Sequence, residues 1–278
     1  MGHEISTPYR LTGPDGTIAI FNDPTGPPEL VGILLDVAGL DSPPVRFSAD
    51  DIPEGDGADV DTAYYGGRPI TLTGMIKAGL ATAARNAAID RLLRAGDAND
   101  SDAILRWTET GRAETALWLR QQVEPKITGV EGSPRKNFLL SMFSAHPMVR
   151  SWALHTISDA TGALDIAAAS IVNAGNRPAY PVLRLYGASA AGPRIRNETL
   201  VADIKFKAGY TVPAAKWVEI DTDPTTRSVI DSDGVNQYGN VDLANTQWPY
   251  IQPVAGGNRW TATSGTRLDV TWRDAWRG

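Results

Sequence analysis

The chain has 278 residues, a formal net charge of −6 and no cysteine, a length that suggests about two domains, or one large β domain, with enough chain to bury a core without staples. Zero cysteine excludes a disulfide scaffold, thiolate metal sites and a cysteine nucleophile, and suits a chain folded in a reducing cytosol. An acidic chain lacks the basic footprint of a nucleic-acid or anionic-membrane binder, and its excess charge is uneven: residues 1–150 hold 20 acidic and 14 basic residues, hence −6, and residues 151–278 hold 12 of each.

The first 80 residues read as short strands between turns. Gly13-Pro14-Asp15-Gly16 is a turn signal between Tyr9–Thr12 and Thr17–Phe21, and Pro24 to Pro28 forms a second break. Ile33–Val37 is an apolar run with the length of a buried strand. An acidic loop follows, with Asp50, Asp51, Glu54, Asp56, Asp59 and Asp61 and no basic residue. Arg68 to Ile76 then alternates, with Ile70, Leu72 and Ile76 on one face and Thr71 and Thr73 on the other. Thr82 to Ala95 is the convincing helix: Ala84, Ala88, Ile89, Leu92 and Leu93 recur at helical spacing, and Gly96 is placed to end it as C′. Period two returns in Ile104–Trp107, Ala116–Val123 and Phe138–Phe143. Ser158 to Gly175 is small and Ala-rich, and reads as an edge strand plus a connector. Everything from Pro181 onward looks β, as in Leu183/Leu185, Ile204/Phe206, Val218/Ile220 and Leu268/Val270/Trp272, which suggests an antiparallel sandwich.

No window approaches the roughly 18 apolar residues of a membrane helix, and no secretory signal is visible at Met1-Gly2-His3-Glu4. The myristoylation-like Met1-Gly2-x-x-x-Ser6 is best read as a chance match, and the sequons at Asn99 and Asn197 as polar loop residues.

Signals for chemistry are weak throughout. His3, His146 and His155 form no metal-binding pair and read as structural histidines. The acidic loop offers oxygens to calcium but lacks the EF-hand order, so a solvated loop is the better reading. There is no nucleophile elbow, P-loop or dinucleotide fingerprint. Asp221, Asp223, Asp231, Asp233 and Asp242 sit beside Pro, Ser and Gly, where turn chemistry explains them better than a hydrolytic acid pair. Trp217, Trp248, Tyr250, Trp260, Trp272 and Trp276 could stack on sugar if exposed, though Trp272 is in phase with the core. The sequence therefore offers no catalytic, cofactor or metal residues.

Several ordered motifs carry a resemblance. Tyr64-Tyr65-Gly66-Gly67-Arg68-Pro69-Ile70-Thr71-Leu72-Thr73-Gly74 resembles the Y-x-G-R-x-I-x-L-x-G stretch of the distal tail proteins of long-tailed phages. Tyr65, Gly67, Arg68, Ile70, Leu72 and Gly74 are its matching positions. His146-Pro147 stands where that family often has Asp-Pro. Asn173-Ala174-Gly175-Asn176 with Pro178 and Tyr180-Pro181 resembles the start of the family's galectin-like domain. Ile195 to Thr199, Val218 to Asp221, Val229 to Asn236, and Trp248 to Pro253 with Gly257 to Trp260 are similar to its later motifs, with Ile251 in place of Leu and extra residues before Gly257. Together these cover most of residues 60–278.

The resemblance implies a mainly β protein. Residues 1–151 would form a β-barrel-like, ring-forming tail-hub domain with one α-helix. Residues 152–278, with a connector at about 158–176, would form a galectin-like antiparallel β-sandwich. The implied function is structural: a virion tail component, made in the bacterial host cytoplasm, that forms a hexameric ring at the distal end of the tail tube. The implied partners are further copies of the chain, the tube protein, and the tail-tip hub or other minor tail proteins. Genomic DNA would pass through the lumen without specific binding, with no cofactor, enzyme activity or membrane involved. The uneven charge adds the expectation that the acidic residues from Asp50 to Asp61 face that lumen. The alternative is a carbohydrate-binding host-recognition module, although no histidine after His155 is available for a galectin site.

Overall fold

A computed structural model describes residues 7–27, 30–46, 49–51, 58–60, 64–76, 81–109, 111–129, 135–159 and 162–277. The chain divides into two compact units, Met1–Trp152 with Arg277–Gly278, and Ala153–Trp276.

The first unit contains strands β1 (Tyr9–Thr12), β2 (Ile18–Phe21), β3 (Leu30–Ala38), β4 (Val45–Arg46), β5 (Ala49–Asp51), β6 (Ala58–Val60), β7 (Tyr64–Tyr65) and β8 (Arg68–Ile76), then helix α1 (Thr82–Gly96). Strands β9 (Ala103–Trp107), β10 (Thr115–Thr128), β11 (Asn137–Ser144) and β12 (Val149–Ser151) complete it. Seven of these close into a barrel in the order β11-β8-β3-β2-β1-β9-β10, with β10 pairing back onto β11. All the pairings are antiparallel except that of β2 with β3.

Closure depends on β10. Its first part, Thr115–Leu119, pairs with β9, and the stretch from Arg120 to Thr128 pairs with β11. The register slips between Gln121 and Val123 and again between Val123 and Lys126. Bulges bend a strand and increase its twist, which lets one long strand serve two neighbours and leaves the barrel without an open edge.

Alternation in β8 and β11 sends Ile70, Leu72, Ile76, Phe138, Leu140 and Met142 inward, where each is at most 2% exposed. The ring of Tyr9 stacks on Trp107 at 6.1 Å, and Phe21 meets Phe138 at 5.5 Å. Burial, then the charge of Glu109, pushes the Tyr9 phenol up to about 12. The β1–β2 turn is set by Asp15, whose carboxylate accepts the Thr17 amide at 2.8 Å and hydroxyl at 2.7 Å.

Helix α1 packs on β1, β2, β3, β8 and β10 and adds Ala88, Leu92 and Ala95 to the barrel core. Two expectations change here. Ala84 is exposed, because the buried stripe runs i, i+4, i+7 from Ala88 rather than along the whole alanine-rich face. Gly96 is the last helical residue, not a left-handed C′; Asp97 (φ −78°) caps the helix instead. The β3 run also differs from a strand buried on both sides. Val31, Leu34 and Val37 face the core, whereas Ile33 and Leu35 stand 51% and 47% exposed, because β3 belongs to a barrel with one outer face.

The second unit is an antiparallel sandwich. Its strands are β13 (His155–Asp159), β14 (Asp165–Ile166), β15 (Val182–Tyr186), β16 (Arg194–Asn197), β17 (Ala202–Lys205), β18 (Trp217–Asp221), β19 (Ser228–Asp231), β20 (Trp260–Ala262), β21 (Arg267–Trp272) and β22 (Ala275–Trp276). One sheet has the order β13-β21-β15-β18-β19 and the other β14-β20-β16-β17. Leu183, Leu185, Val218, Ile220, Leu268 and Val270 line one interior and Ile195, Ile204 and Trp260 the other, all at 0% exposure. The Ala-rich Ser158–Gly175 stretch contains β14 and a short 3-10 turn, Ala168–Ser170.

Two outcomes follow. Leu92→Ala lowers the unfolding free energy of the first unit by roughly 2–5 kcal/mol, whereas Ala84→Gln changes it by less than about 0.5 kcal/mol, as read by urea denaturation. Above pH 10 the unfolded chain ionises Tyr9 while the folded chain holds the proton, so its stabilisation is complete below pH 10 and falls towards pH 12. Tyr9→Phe removes up to about 1.4 kcal/mol per pH unit from that alkaline slope, measured as stability against pH.

Candidate functional site

The motif around β7 and β8 supplies the most constrained polar group of the first unit. Arg68 is 1% exposed. Its Nη1 donates to the carbonyls of Leu40 at 3.1 Å and Asp41 at 3.0 Å, which follow β3. Its Nη2 donates to the carbonyl of Pro147, between β11 and β12, and to that of Arg277 at 2.8 Å. One guanidinium thus gathers main-chain oxygens from three distant segments. The planar fork of donors suits arginine and no other side chain. Burial pushes its pKa down to about 10, offset in part by the charge of Asp41, which leaves it protonated at neutral pH.

The other motif positions complete this seam. The guanidinium of Arg277 lies over the Tyr65 ring at 5.2 Å, and its Nε donates to Ser42 Oγ at 2.6 Å. A Cβ on Gly67 would strike the Phe143 ring at 2.5 Å and the Ser144 carbonyl at 2.7 Å. A Cβ on Gly74 would enter the Phe138 ring at 2.5 Å and meet the Ile33 carbonyl. Ile70 and Leu72 fill the barrel. Within the unit the described motif residues thus pack against the chain's own backbone and rings.

The acidic stretch is placed only in part. Asp50 and Asp51 lie on β5 and Asp59 on β6, and Asp50 is the register partner of Asp59. This portion is a two-stranded ladder and not a loop. Glu54, Asp56 and Asp61 lie outside the described residues. Among the described residues no group of three or more His, Cys, Asp and Glu side chains is arranged to hold a metal ion. His146 Nδ1 is 3.1 Å from Arg150 Nη2, and His155 stacks on Trp272 at 5.2 Å with Nε2 3.3 Å from Asp274. His3 lies outside the described residues. A polar surface cleft of about 360 Å³ lies beside Asp15, Arg94, Asp97 and Asp100.

In the second unit the motif asparagines are internal fasteners. Asn197 is fully buried; its Nδ2 donates to the Tyr250 carbonyl at 2.8 Å, and its Oδ1 accepts the amides of Thr199 and Leu200. Asn197 closes β16 and is buried, so it is not the polar loop residue expected from its sequon. Asn258 holds both the amide and the carbonyl of Gln252 at 2.9 Å. Asn173 donates to the Arg177 carbonyl at 2.6 Å and accepts the Gly175 amide. The expected turn aspartates behave as such. Asp231 accepts the Asp233 and Val235 amides at 2.9 Å, and these bonds with that from Gln237 hold its carboxyl below the ordinary range, the Val235 amide contributing most. Asp223 accepts the Thr225 amide, and Asp242 accepts Asn245 Nδ2.

The aromatic residues offered for sugar stacking are largely occupied. Trp260, Trp272 and Trp276 are buried. Arg184 covers Trp217 at 4.3 Å; Arg227 covers Trp248 at 4.3 Å, and Tyr238 stacks on the same indole. Tyr250 meets Tyr180 edge-on. Sequence reading missed the Arg277 contact altogether. A lone arginine after Gly-Gly and ahead of an alternating strand was the one available sign of the Arg68 clamp.

A closed barrel with one helix, joined to an antiparallel sandwich, is the fold of phage adsorption-hub and baseplate proteins. In particular, 96% of the chain is similar to 98% of the SPP1 Dit (gp 19.1) protein, described as a paradigm of the hub adsorption apparatus of phages infecting Gram-positive hosts, with a TM-score of 0.65 and 13% identity. The same share is similar to 97% of chains from the phage P2 baseplate in its activated conformation, with TM-scores of 0.51 and 9% identity for the Ca structure and 0.52 and 10% for the Sr structure. At these identities the likeness is one of fold. No family model and no curated protein sequence matches the chain.

Arg68→Lys keeps the charge but loses the fork. It lowers the stability of the first unit by about 3 kcal/mol, and Arg277→Ala lowers it by about 1 kcal/mol, in denaturant titrations.

Proposed function

We propose that the chain is a structural component of a phage tail, placed at the distal end of the tail tube and joining the tube to the tail tip or baseplate. The observation that carries this reading is the whole-length fold likeness to the SPP1 Dit hub protein. The region from residue 1 to 151 is the ring-forming part, assembling as a hexamer, and residues 152–278 form a galectin-like domain. Its partners are other copies of itself, the tube protein and the tip hub or other minor tail proteins. It acts without catalysis or cofactor.

The acidic balance of residues 1–150 supports a lumen that repels DNA and lets it slide. In this reading Asp50, Asp51, Glu54, Asp56, Asp59 and Asp61 point into the channel. The sugar-binding alternative draws no support from Trp260, Trp272 and Trp276, which are buried, or from Trp217 and Trp248, which arginines cover.

Negative-stain imaging and mass photometry of the purified chain test the reading. Six-fold rings with a central channel are expected. A chain that stays monomeric at high concentration and does not bind tube protein overturns it, as does a ring that carries the acidic stretch on its rim for the lumen assignment.

A further inference from the structure

Three arginines share one row on the outer wall of the barrel. Arg10 on β1 is the register partner of Arg106 on β9, Arg106 of Ala116 on β10, and Ala116 of Arg150 on β12. Their sequence neighbours Tyr9, Leu11, Leu105, Trp107 and Leu117 are buried in the core, so alternation turns the arginines outward. Strands lie about 4.8 Å apart, and the three arginines therefore span roughly 14 Å. Like charges directly opposite each other across a ladder are destabilising, and Arg10 with Arg106 is such a pair. The row sits in the part of the chain, residues 1–150, whose net charge is −6.

The acids nearby leave the row positive. Arg10 is exposed and forms no ion pair among the described residues. Asp23, whose carboxylate feels the charge of Arg10, is held in its own turn, where it accepts the amide and hydroxyl of Thr25. Arg106 lies over the Trp152 ring at 4.4 Å and reaches Glu114 only at 3.9 Å, and its buried Nε has no hydrogen-bond partner among the described residues. Arg150 Nη2 is 3.1 Å from His146 Nδ1. The next outward row, Ile18, Thr12, Ile104 and Trp118, is half-buried and mostly apolar. Arginine and tryptophan beside aliphatic side chains is the composition of a protein–protein contact. A convex wall does not enclose a small anion. Three cations on an acidic chain are also fewer than the roughly 6–10 phosphate contacts that hold a protein on nucleic acid.

We propose that this row docks an acidic segment of a partner protein, whose carboxylates pair with Arg10, Arg106 and Arg150 while its apolar side chains rest on Ile18, Ile104 and Trp118. The segment supplies the counter-charge that the row lacks, so the repulsion between Arg10 and Arg106 is offset in the complex and not in the free chain. The site stands without the ring reading, since it needs no second copy.

Fluorescence anisotropy of a labelled peptide of glutamate and leucine in equal parts, titrated with the full chain, tests it. The wild type binds the peptide saturably, rising salt weakens the binding, and a peptide with glutamine in place of glutamate binds at least about tenfold more weakly. Arg10→Glu weakens binding by about tenfold and at the same time raises the urea midpoint, because it turns a like pair into an opposite one. Lys126→Glu makes the same charge change at an exposed position of β10 outside this row and leaves binding unchanged. The proposal is overturned by a wild type that does not bind the peptide, by an Arg10→Glu protein that binds like the wild type, or by a Lys126→Glu protein that loses as much. A lower urea midpoint in Arg10→Glu would give Arg10 a structural role and overturn it as well. A short DNA duplex that binds more tightly than the peptide, and loses that binding in Arg10→Glu, would assign the row to phosphates instead. Self-association of the wild type that Arg10→Glu abolishes would assign it to a second copy, and either result overturns the proposal.

Discussion

The path of the chain in the first unit depends on a cation buried among carbonyls. Arg68 opens β8 and binds the turn after β3, the segment before β12 and the carbonyl of Arg277, which lies 209 residues away in sequence. Main-chain oxygens carry enough partial charge to compensate a buried guanidinium when several converge on it. The same bonds fix the ends of two barrel strands. Because Arg277 takes part, the last residues of the chain belong by contact to the unit that begins it. Ala153–Trp276 is thus spliced between two anchored points, an arrangement that tolerates a large inserted domain provided both its ends lie close together.

The clamp explains why the sequence is legible in some places and opaque in others. Strands with clean alternation, such as Arg68–Ile76 and Phe138–Phe143, follow from period two alone, since each residue's neighbour across the ladder is interchangeable. The turn at Asp15 is legible for a local reason: its carboxylate closes on Thr17, two residues away. Barrel closure is not legible. It requires β10 to change partner midway, and the bulges near Gln121 and Val123 have no composition of their own. The helix shows a middle case. Its existence follows from the alanine-rich periodicity, but which alanine is buried depends on the barrel beneath it, so Ala84 and Gly96 were misplaced by a purely local rule.

The motif residues carry a similar lesson for the candidate site. Arginine, glycine and asparagine in a signature invite a functional reading, because their chemistry can serve ligands. Here Arg68, Asn173, Asn197 and Asn258 direct their hydrogen bonds to the chain's own backbone, and Gly67 and Gly74 are small because aromatic rings press against them. Such positions are set by the fold itself. They identify the architecture well and the activity only through it, since a fold can host many functions. The second unit extends the point: its aromatic rings look like a stacking platform in the sequence, and in three dimensions the guanidiniums of Arg184 and Arg227 lie on two of them.

What remains at the surface is of a different kind. Arg68 spends its guanidinium nitrogens on main-chain carbonyls, whereas Ile33, Leu35, Leu139 and Val123 stand partly exposed on the outside of the barrel. Closing the barrel removed one route to association, the addition of a strand, and left face-to-face packing as the other. Face packing between β walls has little directionality from apolar contacts alone, because their attraction depends on area and not on angle.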